Sequence, residues 1–288
     1  MLHMRTLIRN TFIPAACLIL LAGCLANTKT GVENNIRFAV AESEKTYHLL
    51  NNPDNPNCNL QIAFTYPQDY DDKEILKKIQ TLFVSSYFGE AYETYSPQEA
   101  VEHYAKEYLD VYKELESDFK EEIAEHDGKQ PPLTWFSCYE TSSNKIIFNK
   151  DGLLGYSITF ENYTGGAHGS HALSNHVIDL KTGQFITEAD LFAEGFEDEL
   201  SRLLVSAIAA QNGVEDPKGL EDIGFFSIEE IYPNGNFLID EKGITYSFNE
   251  YEIAAYVVGT VNVPIPCDKL TGLLRNNSLT ETLQTIWK

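Results

Sequence analysis

An α+β fold is predicted, with antiparallel sheets covered by a few helices, one of them long and acidic. Three observations lead there. Short segments of alternating apolar residues dominate after residue 133. Two earlier stretches carry apolar residues at helical spacing. Strands and helices do not alternate regularly, so a parallel βαβ sheet is not indicated.

Taken in order, Ile36, Phe38 and Val40 alternate as in a half-buried strand, and Leu60, Ile62, Phe64 and Tyr66 do so again before Pro67. Between them 51–57 is rich in Asn and Pro and reads as a turn. Ile75, Ile79, Leu82 and Phe83 place an amphipathic helix at about 71–87. Ser96-Pro97-Gln98-Glu99 combines an N-cap, a first-turn proline and a capping-box glutamate. The helix it starts runs on through Val101, Tyr104, Tyr108, Val111, Leu115, Phe119 and Ile123 toward Gly128. Its stretch from Glu99 to Asp127 holds eleven acids and three lysines, with Glu102–Lys106 and Glu116–Lys120 as favourable i,i+4 pairs. The acids read as a solvated face or, functionally, as an acidic docking ridge.

Strands are predicted at 133–139, 144–149, 153–163 and 170–180, with a hairpin at 149–152 and a tight turn at 181–183. Thr187 starts a helix expected to reach about Gln211. A hairpin joins 236–240 to 244–248, a last strand carries Val261, Val263 and Ile265, and a short helix follows at 268–275.

The chain has 288 residues, 43 Asp plus Glu against 21 Lys plus Arg, and a net charge of -22. That balance excludes nucleic acid as a partner, since phosphate binding needs a basic face. It leaves cationic ligands, cationic proteins or simple solubility. Arg5 and Arg9 precede an apolar run, 12–21, too short to span a bilayer. Leu21-Ala22-Gly23-Cys24 closes it and resembles the bacterial lipobox, which makes Cys24 the lipidation site and the first mature residue. The expected organisation is a signal peptide at 1–23, a tether at 24–35, an N-terminal α+β region at 36–130 and a C-terminal α+β domain at 131–288. The expected location is the bacterial cell envelope, outside the cytoplasm and held to the membrane by the lipid.

Cys58, Cys138 and Cys267 remain in the mature chain, which permits one disulfide with three possible pairings. No C-x-x-C spacing points to zinc or to a thioredoxin-type motif.

Tyr163-Thr164-Gly165-Gly166-Ala167-His168-Gly169-Ser170-His171 is the most unusual stretch, with His176 following. Three histidines invite a metal, but His171 and His176 are an odd number apart and leave a strand on opposite faces. No metal or other cofactor is expected. The loop lacks Lys and Arg, so a phosphate site is not indicated either. Tyr104 and Tyr108 read as core, whereas Tyr87, Tyr92 and Tyr95 sit in a loop-like segment where a partner could meet them.

The stretch 163–169, Asp179 to Gly183 and Asp190-Leu191-Phe192 resemble the RsiV and PdaC ectodomain family. Phe237-Leu238-Ile239 through Ile244, Tyr251 to Tyr256, Gly259 and Val263 to Pro266 form a second block in the same order, and 60–87 looks like its N-terminal companion. The resemblance implies an extracytoplasmic α+β module, much of it of unknown function. In RsiV the similar ectodomain binds lysozyme; in PdaC it accompanies a separate deacetylase domain. Neither a sigma-binding segment nor a deacetylase domain is expected in this chain. The expected function is therefore a non-catalytic, ligand-binding ectodomain for a cationic protein such as lysozyme or a cell-wall glycan. Its candidate contact residues are Tyr163, Gly165, Gly166, His168 and His171. The alternative is an envelope hydrolase or peptidoglycan-modifying enzyme using the His168/His171 loop.

Overall fold

The computed structural model describes residues 31–126, 129 and 131–288. The expected signal peptide, Cys24 and the first half of the expected tether lie outside the described residues, as does the expected helix stop at Gly128. Residues 31–35, counted with the tether, are docked rather than free. Asp151 donates its N–H to Val32 O at 2.8 Å, and Asn34 Oδ1 accepts from Gly152 N–H at 2.8 Å.

Six strands form one sheet in chain order: β1 (Arg37–His48), β2 (Asn57–Asp69), β3 (Cys138–Lys150), β4 (Leu153–Tyr163), β5 (Ser170–Asp179) and β6 (Gln184–Phe185). Every pairing is antiparallel except β2–β3, which is parallel from Cys58↔Cys138 to Ala63↔Ser143. This departs from the wholly antiparallel expectation. The chain between β2 and β3 is long enough for a helical crossover, which is what a parallel pair requires. The sheet thus runs through the expected boundary near residue 130.

The crossover holds α1 (Lys73–Phe88), α2 (Pro97–Lys113) and α3 (Glu116–Glu125). Asp72 caps α1, and Ser96 and Glu99 close the expected capping box on α2. The single acidic helix is in fact two. At the break, Glu114 and Leu115 donate to Val111 O and Tyr112 O, a tightening to i→i−3 bonds. Glu116 then turns back, accepting from Tyr47 Oη at 2.6 Å and from Leu50 N–H at 3.0 Å, rather than pairing with Lys120. Lys106 likewise bonds Asp110 at 2.7 Å, not Glu102.

The segments expected at 133–139 and 144–149 merge into the single strand β3, which begins only at Cys138. The predicted helix from Thr187 divides into α4 (Glu188–Leu191) and α5 (Glu197–Gln211). Strands β7 (Phe237–Asp240), β8 (Gly243–Phe248) and β9 (Val261–Pro266) form a separate antiparallel sheet. Helix α6 (Cys267–Leu270) follows directly, and α7 (Ser278–Ile286) is an element the spacing did not reveal.

β4 explains how the layers meet. Leu154, Tyr156 and Ile158 face α1 and α2, within a core that includes Phe64, Ile79, Phe83 and Val101. Leu153, with Phe148 of β3 and Val177 of β5, faces β7–β9 and α5, within a core that includes Leu204, Phe237, Tyr246 and Val263. Covered on both sides, β4 is buried without interruption from Leu153 to Ile158. A polar chain ties the two sheets together: Ser157 Oγ donates to Asn175 Oδ1 at 2.7 Å, and Asn175 Nδ2 donates to Ser247 Oγ at 2.8 Å.

Where the β2–β3 register ends, Asn144 takes over from the backbone. Its Oδ1 accepts from Thr65 N–H and its Nδ2 donates to Thr65 O, both at 2.7 Å. Asn144→Ala leaves both groups without these partners and should cost about 1–3 kcal/mol in chemical unfolding. A loss below about 0.5 kcal/mol would show that water replaces the amide freely.

Candidate functional site

The cavity between α2 and the segment leading into β3 has a volume of about 360 Å³. Its helical wall comes from Tyr104, Tyr108, Val111, Tyr112 and Leu115, with Tyr92 and Glu107 at one end. Trp135, Phe136 and Cys138 form the opposite wall. The spacing of Tyr104, Tyr108 and Tyr112 puts three rings on one helix face.

Each phenol is held by its hydroxyl, which leaves the rings to form the walls. Tyr104 donates to Glu140 Oε1 at 2.6 Å, Tyr112 donates to Phe136 O at 2.7 Å, and Tyr92 donates to Glu107. Tyr108 Oη lies 3.6 Å from Cys138 Sγ. Burial raises the pKa of all four phenols, reinforced by carboxylates beside Tyr92 and Tyr104 and by Cys138 beside Tyr108 and Tyr112. They therefore remain protonated donors at neutral pH. Burial likewise raises the Glu140 carboxyl, against the lowering effect of the Tyr104 hydrogen bond. At the rim, Trp135 is 57% exposed and Val111 65% exposed, so the mouth is apolar.

None of the five residues singled out in the 163–171 loop lines this cavity; their neighbour Thr164 does. The loop's geometry is mainly internal. Gly165 and Gly166 have φ of 93° and 106°, left-handed values that favour glycine. Gly165 also passes close to Thr134 O and Trp135 O, which brings the loop against the cavity's outer wall. Tyr163 Oη donates to Gly166 O at 3.0 Å, and its ring stacks on Tyr139 at 6.2 Å. His168 stacks on Tyr256 at 4.0 Å.

His171 lies on the sheet face away from the cavity, its Nδ1 3.1 Å from Glu250 Oε1 and its Nε2 3.7 Å from Glu161 Oε1. His176 points to the other face, between Tyr156 and Phe185. Among the described residues no group of three or more His, Cys, Asp or Glu side chains is placed to hold a metal ion.

Sequence reasoning passed over the cavity because the tyrosine spacing on α2 is equally that of a core stripe. The signal that separates the two is Trp135, a large aromatic in a proline-flanked segment, which needs the tertiary fold to reach α2.

Residues 54–171, which carry the cavity and the 163–171 loop, match a family model described as Deacetylase PdaC. Residues 189–268 match one described as a protein of unknown function, DUF3298. The folded body is PdaC/DUF3298-like. A crystal structure of a DUF3298 family member from Bacteroides fragilis aligns at 28% identity with a TM-score of 0.82, covering 88% of this chain and 99% of that one. One from Pseudomonas aeruginosa aligns at 15% identity with a TM-score of 0.61, covering 88% and 98%, and shows likeness of fold alone. No curated protein matches. The PdaC-like match ends at residue 171, beside the first residues of β5, and the DUF3298 match begins at α4. The six-stranded sheet of this PdaC/DUF3298-like body therefore lies mostly in the first match and the β7–β9 sheet in the second. Among the described residues no helix is long and apolar enough to cross a membrane.

Proposed function

We propose that the chain is a lipid-anchored envelope protein whose non-catalytic ectodomain binds a cationic protein, and that the aromatic cavity receives a lysine or arginine side chain of that partner. One observation carries the reading: tyrosine and tryptophan rings enclose about 360 Å³ with the Glu107 carboxylate at the edge. Aromatic faces and a carboxylate together favour a cation on an apolar stem. The chain's net charge of -22 would speed the encounter and make it salt-sensitive. A cell-wall glycan stacked on the same rings is the other ligand class this wall could take.

Lysozyme is the cationic probe for the test. Binding to the purified chain should weaken as salt rises. Trp135→Ala should raise Kd about tenfold, the loss of about 1.4 kcal/mol that one aromatic contact with a cation supplies. Absence of salt-sensitive binding, or equal Kd for wild type and Trp135→Ala, would overturn the protein-ligand reading. Binding of muropeptides that is lost in Trp135→Ala would establish the glycan instead.

A second reading, an envelope hydrolase working through the His168/His171 loop, has the His171–Glu250 contact in its favour, since a carboxylate at Nδ1 orients an imidazole as a base. Turnover of cell-wall fragments that disappears in both His168→Ala and His171→Ala would establish it.

A further inference from the structure

Cys58 and Cys138 stand opposite one another in the parallel β2–β3 pair. Side chains of directly paired residues in a parallel ladder leave on the same face, here toward Tyr108 of α2. Neighbouring strands lie about 4.8 Å apart, within the Cα separation of about 4.4–6.8 Å that a disulfide spans. The two thiols are within hydrogen-bond reach of each other. Their exposure differs: Cys58 is fully buried, whereas Cys138 is half-buried and forms part of the cavity wall.

We infer that Cys58 and Cys138 form a redox-active dithiol, in which Cys138 meets an external disulfide through the cavity and Cys58 closes the bond.

Cys267 has no part in it. It opens α6 directly after β9, in the other sheet, with its N–H donated to Lys242 O at 2.8 Å. The chemistry needs an oxidant of the low-molecular-weight disulfide class. The Cys138 thiolate attacks one sulfur of that disulfide, and the other sulfur leaves as a thiolate that takes up a proton. Cys58 then gives up its proton to solvent and attacks Cys138 Sγ, displacing the second thiol. Two protein thiols are oxidised, and one external disulfide is reduced to two thiols.

The electrostatics agree with these roles. Accepting a hydrogen bond from the Cys58 thiol is the main cause that holds Cys138 below an ordinary thiol, and the Tyr108 hydroxyl helps. Lowering a thiol's pKa raises its thiolate fraction, and the thiolate is the attacking species. Donation to Cys138, together with burial, raises Cys58 and keeps it protonated until the exchange reaches it. The bond would close a chain segment containing α1, α2 and α3, and so would fix both walls of the cavity relative to β2. The inference does not depend on whether the cavity has a ligand.

The test equilibrates the full chain with oxidised and reduced glutathione, quenches with iodoacetamide and digests without reductant. The expected product is a peptide pair linking Cys58 to Cys138, with Cys267 alkylated. The oxidised chain should melt about 10 °C above the reduced one, because the closed segment is long. In Cys58→Ser the expected product is a Cys138–glutathione mixed disulfide that persists. Alkylation of both Cys58 and Cys138 after oxidation overturns the inference, as does linkage of either to Cys267 or a lasting mixed disulfide in the wild type.

Discussion

Phe83→Ala should lower the stability of the folded chain by about 3–5 kcal/mol. Phe83 is fully buried, and its ring stacks on Tyr156 of β4 with centroids 4.0 Å apart and planes 23° apart. One turn later on α1, Ser86 Oγ lies 2.8 Å from Tyr156 Oη. Helix and strand are thus joined through one tyrosine, by its face and by its hydroxyl. Removing the Phe83 ring takes away buried apolar surface, and also a stacked pair worth about 0.5–1.5 kcal/mol beyond its area. Ile79 and Val84 lie on the same helix and cannot both move into the space while their own contacts hold. Phe83→Leu keeps most of the volume and should cost distinctly less. Urea denaturation of the two variants reads the difference. Equal losses would mean that the volume Leu retains contributes nothing and that the ring itself carries the whole effect.

The second large effect depends on pH. His176 sits between Tyr156 and Phe185 with ring centroids 5.1 Å from each, and burial lowers its pKa to about 4. In the unfolded chain an unperturbed histidine titrates near 6.5. As pH falls below about 6.5 the unfolded state therefore takes up a proton that the folded state refuses. The stability associated with neutral His176 is complete above about pH 6.5 and is lost progressively toward pH 4. The loss approaches about 3 kcal/mol over that window.

Carboxylates with depressed pKa act at the acid end of the same range. Asp110 is lowered by Lys106 and Lys113, and Glu116 chiefly by the Tyr47 hydroxyl. The contribution of His176 is isolated by comparison with His176→Gln, which stays neutral and can still meet Ser174 Oγ, 3.1 Å from His176 Nε2. Between about pH 7.5 and 4.5 the wild type should lose roughly 2–3 kcal/mol more than the variant. Parallel pH profiles for the two would refute the assignment.

The secondary structure was largely legible because periodicity carries it. β4 at Leu153–Tyr163 and the capping box at Ser96 and Glu99 come directly from local pattern. The breaks within helices were not legible. Nothing in the apolar spacing through Val111, Leu115 and Phe119 marks the break between α2 and α3. It forms where Glu116 exchanges water for Tyr47 and the Leu50 backbone, partners more than 60 residues away. The loop at 163–171 was conspicuous for its glycines and histidines, yet its glycines serve its own turns and its approach to Thr134 and Trp135. The aromatic wall was hidden for the opposite reason: Tyr104 and Tyr108 look like ordinary core residues until Trp135 is brought opposite them.

By itself the sequence determined what local chemistry controls: the α+β class, the alternating strands, the helix starts and the acidic charge. It also established that His171 and His176 must oppose each other across a strand, since alternation is a property of the extended backbone. The tertiary structure decided which strands pair, and above all that β2 and β3 run parallel. That choice sets Cys58 beside Cys138, needs a helical crossover to complete it, and lays α2 against the segment entering β3 to leave the aromatic cavity. Such pairings depend on contacts between residues some 80 positions apart, and no window of local sequence contains both partners.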